Sequence, residues 1–243
     1  TDTKATVVEL PQYDDRGPAP LKNPQKAHVR HPNDGAHGLC LTTGFCGAWV
    51  GGVSSGKSTC LQSCLAHNHA RYRYTDVFLM HPDAENAKTG EYGLCTDIKV
   101  LEHWPRIEEW EKMAPGRTAL ICDDISWQLS KKGTPSQYAL AERCLGYMRS
   151  HKKGSMDVYI GQQQIFGIPS QLRKLVSTWF IFPRRTSPQT HTALAQACMI
   201  DRATLRKCLD FVDGDYGFLL VNNLADGRPR CRVNGWRAVR GLL

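Results

Sequence analysis

The sequence predicts an α/β fold, a mostly parallel sheet flanked by helices and closed by a C-terminal β-hairpin. Three observations predict it. From Leu39 onward, short apolar runs alternate with stretches of helical periodicity, the pattern of strand–helix–strand units. The run Thr118 to Ile125 is apolar for most of its length, as a strand buried on both faces must be. The glycine-rich stretch Gly51 to Gly56 joins an apolar run directly to a helical one.

Taken in order, ATVVEL near the start reads as one edge strand. Pro11 to Gly38 is rich in Pro, Asp, Asn, Lys and His without periodicity, so residues 1–38 read as an extended arm and 39–243 as one domain. The run CLTTGFCGAWVGG is the first core strand. A helix over Lys57 to His69 follows, with Leu61, Cys64 and Leu65 on one face and His67, His69 and Arg71 at the end where positive charge suits the helix dipole. A strand at Asp76 to Met80 precedes a tryptophan-rich helix at Trp104 to Met113, then the strand Thr118 to Ile125. Thr134-Pro135 opens a helix whose apolar face is Ala141, Cys144, Leu145 and Met148. A strand from Asp157 to Gly161, a short helix at Pro169 to Val176 and a strand at Thr178 to Phe182 come next. Ser187-Pro188 and Asp201 start two further helices, and Gly217 to Val221 with Arg230 to Val233 forms the hairpin.

Composition bounds the function. The 243 residues are 41% apolar and 22% charged, which excludes a collagen, a coiled-coil rod and a disordered chain. The longest apolar runs, Ala119 to Cys122 and Phe218 to Val221, fall far short of the roughly 20 residues that span a bilayer. An integral membrane protein is not expected, and TDTKATVVEL lacks the apolar core of a secretory signal. Net charge is +8, and it is one-sided: residues 1–148 carry 16 Lys/Arg and 17 Asp/Glu, residues 149–243 carry 15 and 6. Such a field suits a polyanion; ordinary solubility explains it as well. Ten cysteines without a C-x-x-C pair, several inside apolar stretches, read as reduced, buried thiols. Cys60, Cys64 and His67 share a helix face, but a fourth metal ligand is not evident and a core role explains them better.

The chemistry begins at Gly51, Gly52, Val53, Ser54, Ser55, Gly56, Lys57 and Ser58, followed by Thr59, which fit the Walker A pattern G-x-x-x-x-G-K-[ST]. Glycines let the backbone curl so that successive N–H groups face phosphates, and the following helix N-terminus adds its positive end. Lys57 would reach the β- and γ-phosphates of ATP and Ser58 would complete a Mg²⁺ shell. About 65 residues later, Asp123 and Asp124 end the strand Ala119 to Cys122, the Walker B position. Adjacent acids at the tip of a buried strand need a cationic partner, because unpaired charge near a dry core is costly. Asp123 is expected to hold Mg²⁺ and Asp124 to polarise the attacking water. The strand from Asp157 runs into Gln162, Gln163 and Gln164 at the strand ends where α/β function gathers. Gln162 is the first candidate to sense the γ-phosphate, Gln163 the near alternative, and a plain polar loop the third reading.

GGVSSGKS, ALICDD and MRSHKKGSMDVYIGQQQIFGIPSQLRK together resemble the FtsK/HerA superfamily of P-loop ATPases over roughly residues 40–185. The likeness is greatest to the genome-packaging ATPases of double jelly-roll capsid DNA viruses, with Asp rather than Glu at 124 and Ile168-Pro169-Ser170-Gln171-Leu172-Arg173 after the glutamines. The resemblance implies an ATPase that translocates double-stranded DNA, most simply packaging a viral genome, as a homo-oligomeric ring, typically a hexamer. It also implies a capsid-vertex or internal-membrane partner and a place in the virion or the cytoplasm of an infected cell. It implies an arginine donated by a neighbouring subunit. Arg149 is the first candidate, then Arg173 and Arg184. Arg149, Lys152, Lys153, Arg173, Lys174, Arg184 and Arg185, with Arg228, Arg230, Arg232, Arg237 and Arg240, are candidates to line a DNA channel through sequence-independent phosphate contacts. Competing classes are a small-molecule P-loop kinase, for which no arginine-bearing lid is evident, a different ring translocase or helicase, and a nucleotide-binding module that does not turn over.

Overall fold

The computed structural model describes residues 6–9, 44–89, 92, 98–114, 116–127, 137–151, 156–183, 187–223, 230–234 and 237–240. The arm at Pro11 to Gly38, the start of the first core run, the Thr134-Pro135 helix start, and Lys152, Lys153, Arg184, Arg185 and Arg228 lie outside them.

The elements are β1 (Thr6–Glu9), β2 (Cys46–Val50), α1 (Lys57–Tyr72), β3 (Asp76–Met80), α2 (Ala84–Thr89), β4 (Ile98–Val100), α3 (Ile107–Met113) and β5 (Thr118–Asp123). The chain continues through α4 (Gln137–His151), β6 (Met156–Gln162), a 3-10 turn at Ile165–Gly167, α5 (Ser170–Leu175) and β7 (Thr178–Ile181). It ends with α6 (Pro188–Ala197), α7 (Arg202–Leu209), β8 (Leu219–Asn222), β9 (Cys231–Val233) and β10 (Arg237–Arg240). Among the described residues the strands form one sheet in the order β1-β10-β9-β8-β7-β2-β6-β5-β3-β4. The six strands from β7 to β4 are parallel, and β8, β9, β10 and β1 add antiparallel. The C-terminal hairpin is thus the start of a longer meander, and Thr6–Glu9 closes it by pairing with Arg237–Arg240.

Period-2 alternation divides the core. Cys46, Ala48 and Val50 of β2, Leu120 and Cys122 of β5, and Val158 and Ile160 of β6 face the layer containing Trp110, Leu145, Leu172, Leu194 and Leu205 from α3 to α7. Trp49, Ala119, Ile121 and Tyr159 face the other layer, where Leu61, Cys64 and Leu65 of α1 cover them. Trp49 stacks on Phe180 at 4.3 Å between centroids. Each face therefore has its own core, and β2, between β6 and β7, lies in the interior of the sheet.

Local chemistry sets several boundaries. Pro105 keeps Trp104 out of the helical region, so α3 starts later than the tryptophan pattern suggests, with the Arg106 N–H donating to Glu109 Oε2 at 2.7 Å. β5 stops at Asp123 because Asp124 turns left-handed, φ +49°. Ser187 and Asp201 cap α6 and α7 by accepting from the Thr190 and Thr204 amides. The short α2 and the three-residue edge strand β4 carry no periodic signal and escape the sequence reading. The eight described cysteines are free thiols, and burial pushes the Cys144 thiol up to about 11 and Cys122 well above its ordinary value. Among the described residues no His/Cys/Asp/Glu group of three could hold a metal ion, and no helix is long and apolar enough to cross a membrane.

Candidate nucleotide site

The loop between β2 and α1 is a tight bend. Ser54 and Gly56 have φ of +60° and +86°, and the Ser55 N–H donates to Gly52 O. A β-carbon on Gly51 would lie 2.5 Å from Phe182 Cβ, so only glycine fits that start of the bend. α1 then begins without a side-chain cap, unlike α6 and α7, and has no acid in its first turn. Its first amides have no intrahelical acceptor and remain open to an anion. Ser55 Oγ is buried in the same bend with no hydrogen-bond partner. Open amides, a helix end and an orphaned hydroxyl together make a cradle that suits phosphate oxygens.

The acids converge on this cradle from β5. Lys57 Nζ lies 3.0 Å from Asp123 Oδ1 and 3.3 Å from Asp124 Oδ1. Ser58 Oγ donates to Asp123 Oδ2 at 3.3 Å. Asp123 is 1% exposed, and the Asp124 side chain is 31% exposed. β6 lies between β2 and β5, so Asp123 must reach across it. Alternation puts Asp123 on the α1 face, in line with Ala119 and Ile121, and in register with Gly161. A β-carbon on Gly161 would sit 1.8 Å from Asp123 Oδ1. That glycine is the gap through which the carboxylate meets Lys57. The strand ends are stitched as well: the Gly51 N–H donates to Gln162 O at 3.2 Å and the Asp124 N–H to Gly161 O at 2.9 Å.

The structure separates the glutamines. Gln162 follows Gly161, so alternation turns it to the opposite face, where its Nε2 donates to Ile125 O at 2.9 Å. Gln163, past the end of the strand, donates to Asp124 Oδ2 at 3.4 Å. Gln164 precedes the 3-10 turn. The second glutamine, and not the first, joins the acids.

Sequence reasoning missed Tyr92, whose hydroxyl donates to Asp123 Oδ2 at 2.8 Å from full burial. It sits just beyond α2, in a stretch without periodicity, and nothing in its neighbours marks it.

The candidate arginines divide too. Arg149 is on the last turns of α4, and its side chain lies outside the described residues. Arg173 Nε donates to Ile168 O at 2.7 Å and its guanidinium lies 5.7 Å from the Phe166 ring centroid. Lys174 is exposed. Two proposed DNA contacts do not fit that role here. Arg230 donates to Met199 O, Cys198 O and Asn223 Oδ1, capping the end of α6. Arg232 is 3% exposed within β9. The Arg230 charge is used inside the fold, because an arginine fork near a helix end satisfies carbonyls that would otherwise be orphaned. Arg237 and Arg240 lie on β10, with side chains outside the described residues.

No family model matches the chain, and no curated protein matches it in sequence. Solved structures do match. The DNA-packaging ATPase B204 of Sulfolobus turreted icosahedral virus superposes with a TM-score of 0.53 at 14% identity, covering 79% of this chain and 97% of that one. The genome-packaging NTPase B204 of Sulfolobus turreted icosahedral virus 2 gives 0.54 with AMPPCP bound, at 13% identity over 78% and 95% of the two chains. Its complex with ATP-gammaS gives 0.50 at 14% identity over 78% and 96%. At these identities the match concerns the fold, and the expected sheet is the one observed: the chain shares the mostly parallel, helix-flanked fold of these packaging NTPases.

Proposed function

We propose that this protein is an ATP-hydrolysing motor that translocates double-stranded DNA, and that its task is packaging a viral genome. The observation that carries the ATPase part is the convergence of Lys57, Ser58, Asp123 and Asp124 on an uncapped bend. Lys57 supplies the positive charge that the two acids require. When ATP enters the bend, Lys57 Nζ exchanges the carboxylates for β- and γ-phosphate oxygens. Ser58 Oγ and Asp123 Oδ2, hard oxygens 3.3 Å apart, suit Mg²⁺, which keeps few protein ligands and takes the rest from phosphate and water. That ion would neutralise the phosphate charge.

Asp124, freed from Lys57, is then the base. Water oxygen bonds to the γ-phosphorus, the bond to the bridging oxygen breaks, and the water proton passes towards the Asp124 carboxylate. Gln163, held on Asp124 Oδ2, orients that water. An arginine from a neighbouring subunit in a ring, with Arg149 the first candidate, would stabilise the departing charge. Both copies of a subunit interface must then be in place before hydrolysis, which couples turnover to the ring.

Support for DNA as the substrate moved is of two kinds. The excess positive charge lies entirely in residues 149–243, and the solved relatives in fold are described as DNA- or genome-packaging enzymes. The place of action would be the virion or the cytoplasm of an infected cell. The test is ATP hydrolysis by the full chain with and without duplex DNA. Hydrolysis that rises with duplex DNA, falls with salt and disappears in Lys57→Ala supports the reading. Activity that persists in Lys57→Ala overturns the site, and activity indifferent to DNA overturns the motor.

A further inference from the structure

We infer that Tyr216 is the stacking platform for the purine base of the nucleotide, an assignment that rests on the ATP-binding reading above. Tyr216 lies in the loop between α7 and β8. At 68% it is more exposed than any other large apolar side chain among the described residues. An exposed aromatic ring on a mobile tip would carry no meaning, but this loop is tied down. The Val212 N–H donates to Leu209 O at 2.9 Å, and Phe218 and Asn234 exchange bonds of 2.8 and 2.9 Å. Phe218 is buried against Phe180 and Phe182, with centroids 5.6 and 5.4 Å apart.

The ring also touches the phosphate cradle. A β-carbon placed on Gly56 would lie 3.1 Å from Tyr216 Cδ1 and 3.5 Å from Cγ. Gly56 is thus glycine twice over, for its φ of +86° and for the approach of this ring. One side of Tyr216 rests on the backbone at the start of α1, and the rest of the ring is open.

Direction settles what the open face meets. The γ-phosphate end of a nucleotide in this bend points towards Asp123, Asp124 and Gln163, which lie on the β6–β5 side of β2. The nucleoside must leave on the other side, over Gly56 towards β7 and β8, and that is where Tyr216 stands. A flat ring held rigidly beside a phosphate site offers a base its π-face at little entropic cost. Stacking reads the ring and not its edge. The platform therefore favours purines over pyrimidines and separates ATP from GTP poorly.

The test is equilibrium binding of ATP-γS and of inorganic tripolyphosphate to the full-length wild type, Tyr216→Ala and Tyr216→Phe. We expect Tyr216→Ala to bind ATP-γS roughly tenfold more weakly, about 1.4 kcal/mol, with tripolyphosphate affinity unchanged and Tyr216→Phe matching the wild type. Unchanged ATP-γS affinity in Tyr216→Ala, or an equal loss for both ligands, overturns the platform while leaving the ATP site intact. A wild type that binds neither ligand overturns the ATP reading itself.

Discussion

Beneath helix α1 the same sheet face carries two buried ion pairs, one at each end, and they are built for opposite purposes. At the upper end Lys57 meets Asp123 and Asp124. At the lower end Arg117 Nη2 meets Asp157 Oδ2 at 2.9 Å. β6 passes both, with Asp157, Tyr159 and Gly161 in one column facing α1. At the lower end the carboxylate is held from several sides. Asp157 accepts from the Gly44 N–H, from Tyr74 Oη at 2.7 Å and from Arg117, and Tyr159 Oη bonds both Tyr74 and Asn68 of α1. Burial pushes the Asp157 carboxyl up against the opposing pull of Arg117, and pushes the Tyr74 and Tyr159 hydroxyls well above their ordinary values. At the upper end the lysine serves two acids, one of them partly exposed, beside open amides and an orphaned hydroxyl. A carboxylate gripped by an amide, a hydroxyl and a guanidinium is a clasp. A lysine shared between two acids beside an uncapped helix start has the makings of a site.

The largest expected break is on the upper side. Lys57→Ala should lower ATP hydrolysis by at least about a thousandfold, roughly 4 kcal/mol, with helix and strand content by circular dichroism unchanged. Next, Arg117→Met should leave Asp157 uncompensated in a dry environment and cost about 3 kcal/mol of stability by urea unfolding. Lys57→Met should cost less, because Asp124 reaches water whereas Asp157 is wholly buried. If the two methionine variants unfold alike, the distinction between clasp and site is wrong.

Gly161→Ala sharpens the comparison, since it forces a methyl group onto Asp123 while Asp157, on the same strand, is left untouched. Hydrolysis should fall about a hundredfold, and stability by the roughly 1–3 kcal/mol of an overpacked site. A smaller effect belongs to Tyr92→Phe. Losing one hydroxyl from Asp123 should raise the Mg²⁺ concentration for half-maximal hydrolysis about fivefold, the ~1 kcal/mol of one hydrogen bond, with little change at saturating Mg²⁺.

The smallest effect concerns pH. The folded Asp157 carboxyl lies above the ordinary 3.8, so the folded state holds that proton more tightly than the unfolded chain. Its contribution to stability is full below about pH 3.8, declines as pH rises through the raised value, and is flat above it. Asp157→Asn should remove this part of the slope of stability against pH in the acid range. An unchanged slope contradicts it.

Much of the upper site was legible in the sequence because its chemistry is local. The bend, Lys57 and Ser58 are contiguous, and the twin acids end an apolar run. Gln163 over Gln162 was legible in principle: Asp157, Tyr159 and Gly161 share a face, which leaves Gln162 on the other. Tyr92 was not, because its partner lies 31 residues away and its own neighbourhood has no pattern. The lower clasp was invisible for the same reason. Arg117 and Asp157 are 40 residues apart and meet only once β5 and β6 pair. Charge counting also overstates the surface charge, since Arg230 is tied to backbone carbonyls and Arg232 is buried. Short elements such as β4 exist because β3 offers an edge, not because Ile98–Val100 insists on being a strand.

If the bend binds ATP as proposed, Lys57 must leave the two acids for phosphate oxygens. A crystal structure of the full chain with ATP-γS and Mg²⁺ tests it most directly. The triphosphate is expected in the Gly51–Ser58 bend, with Lys57 Nζ moved from Asp123 Oδ1 to phosphate oxygens and the Arg117–Asp157 pair unmoved. A nucleotide bound elsewhere, or one in the bend with the 3.0 Å Lys57–Asp123 contact still in place, would contradict it.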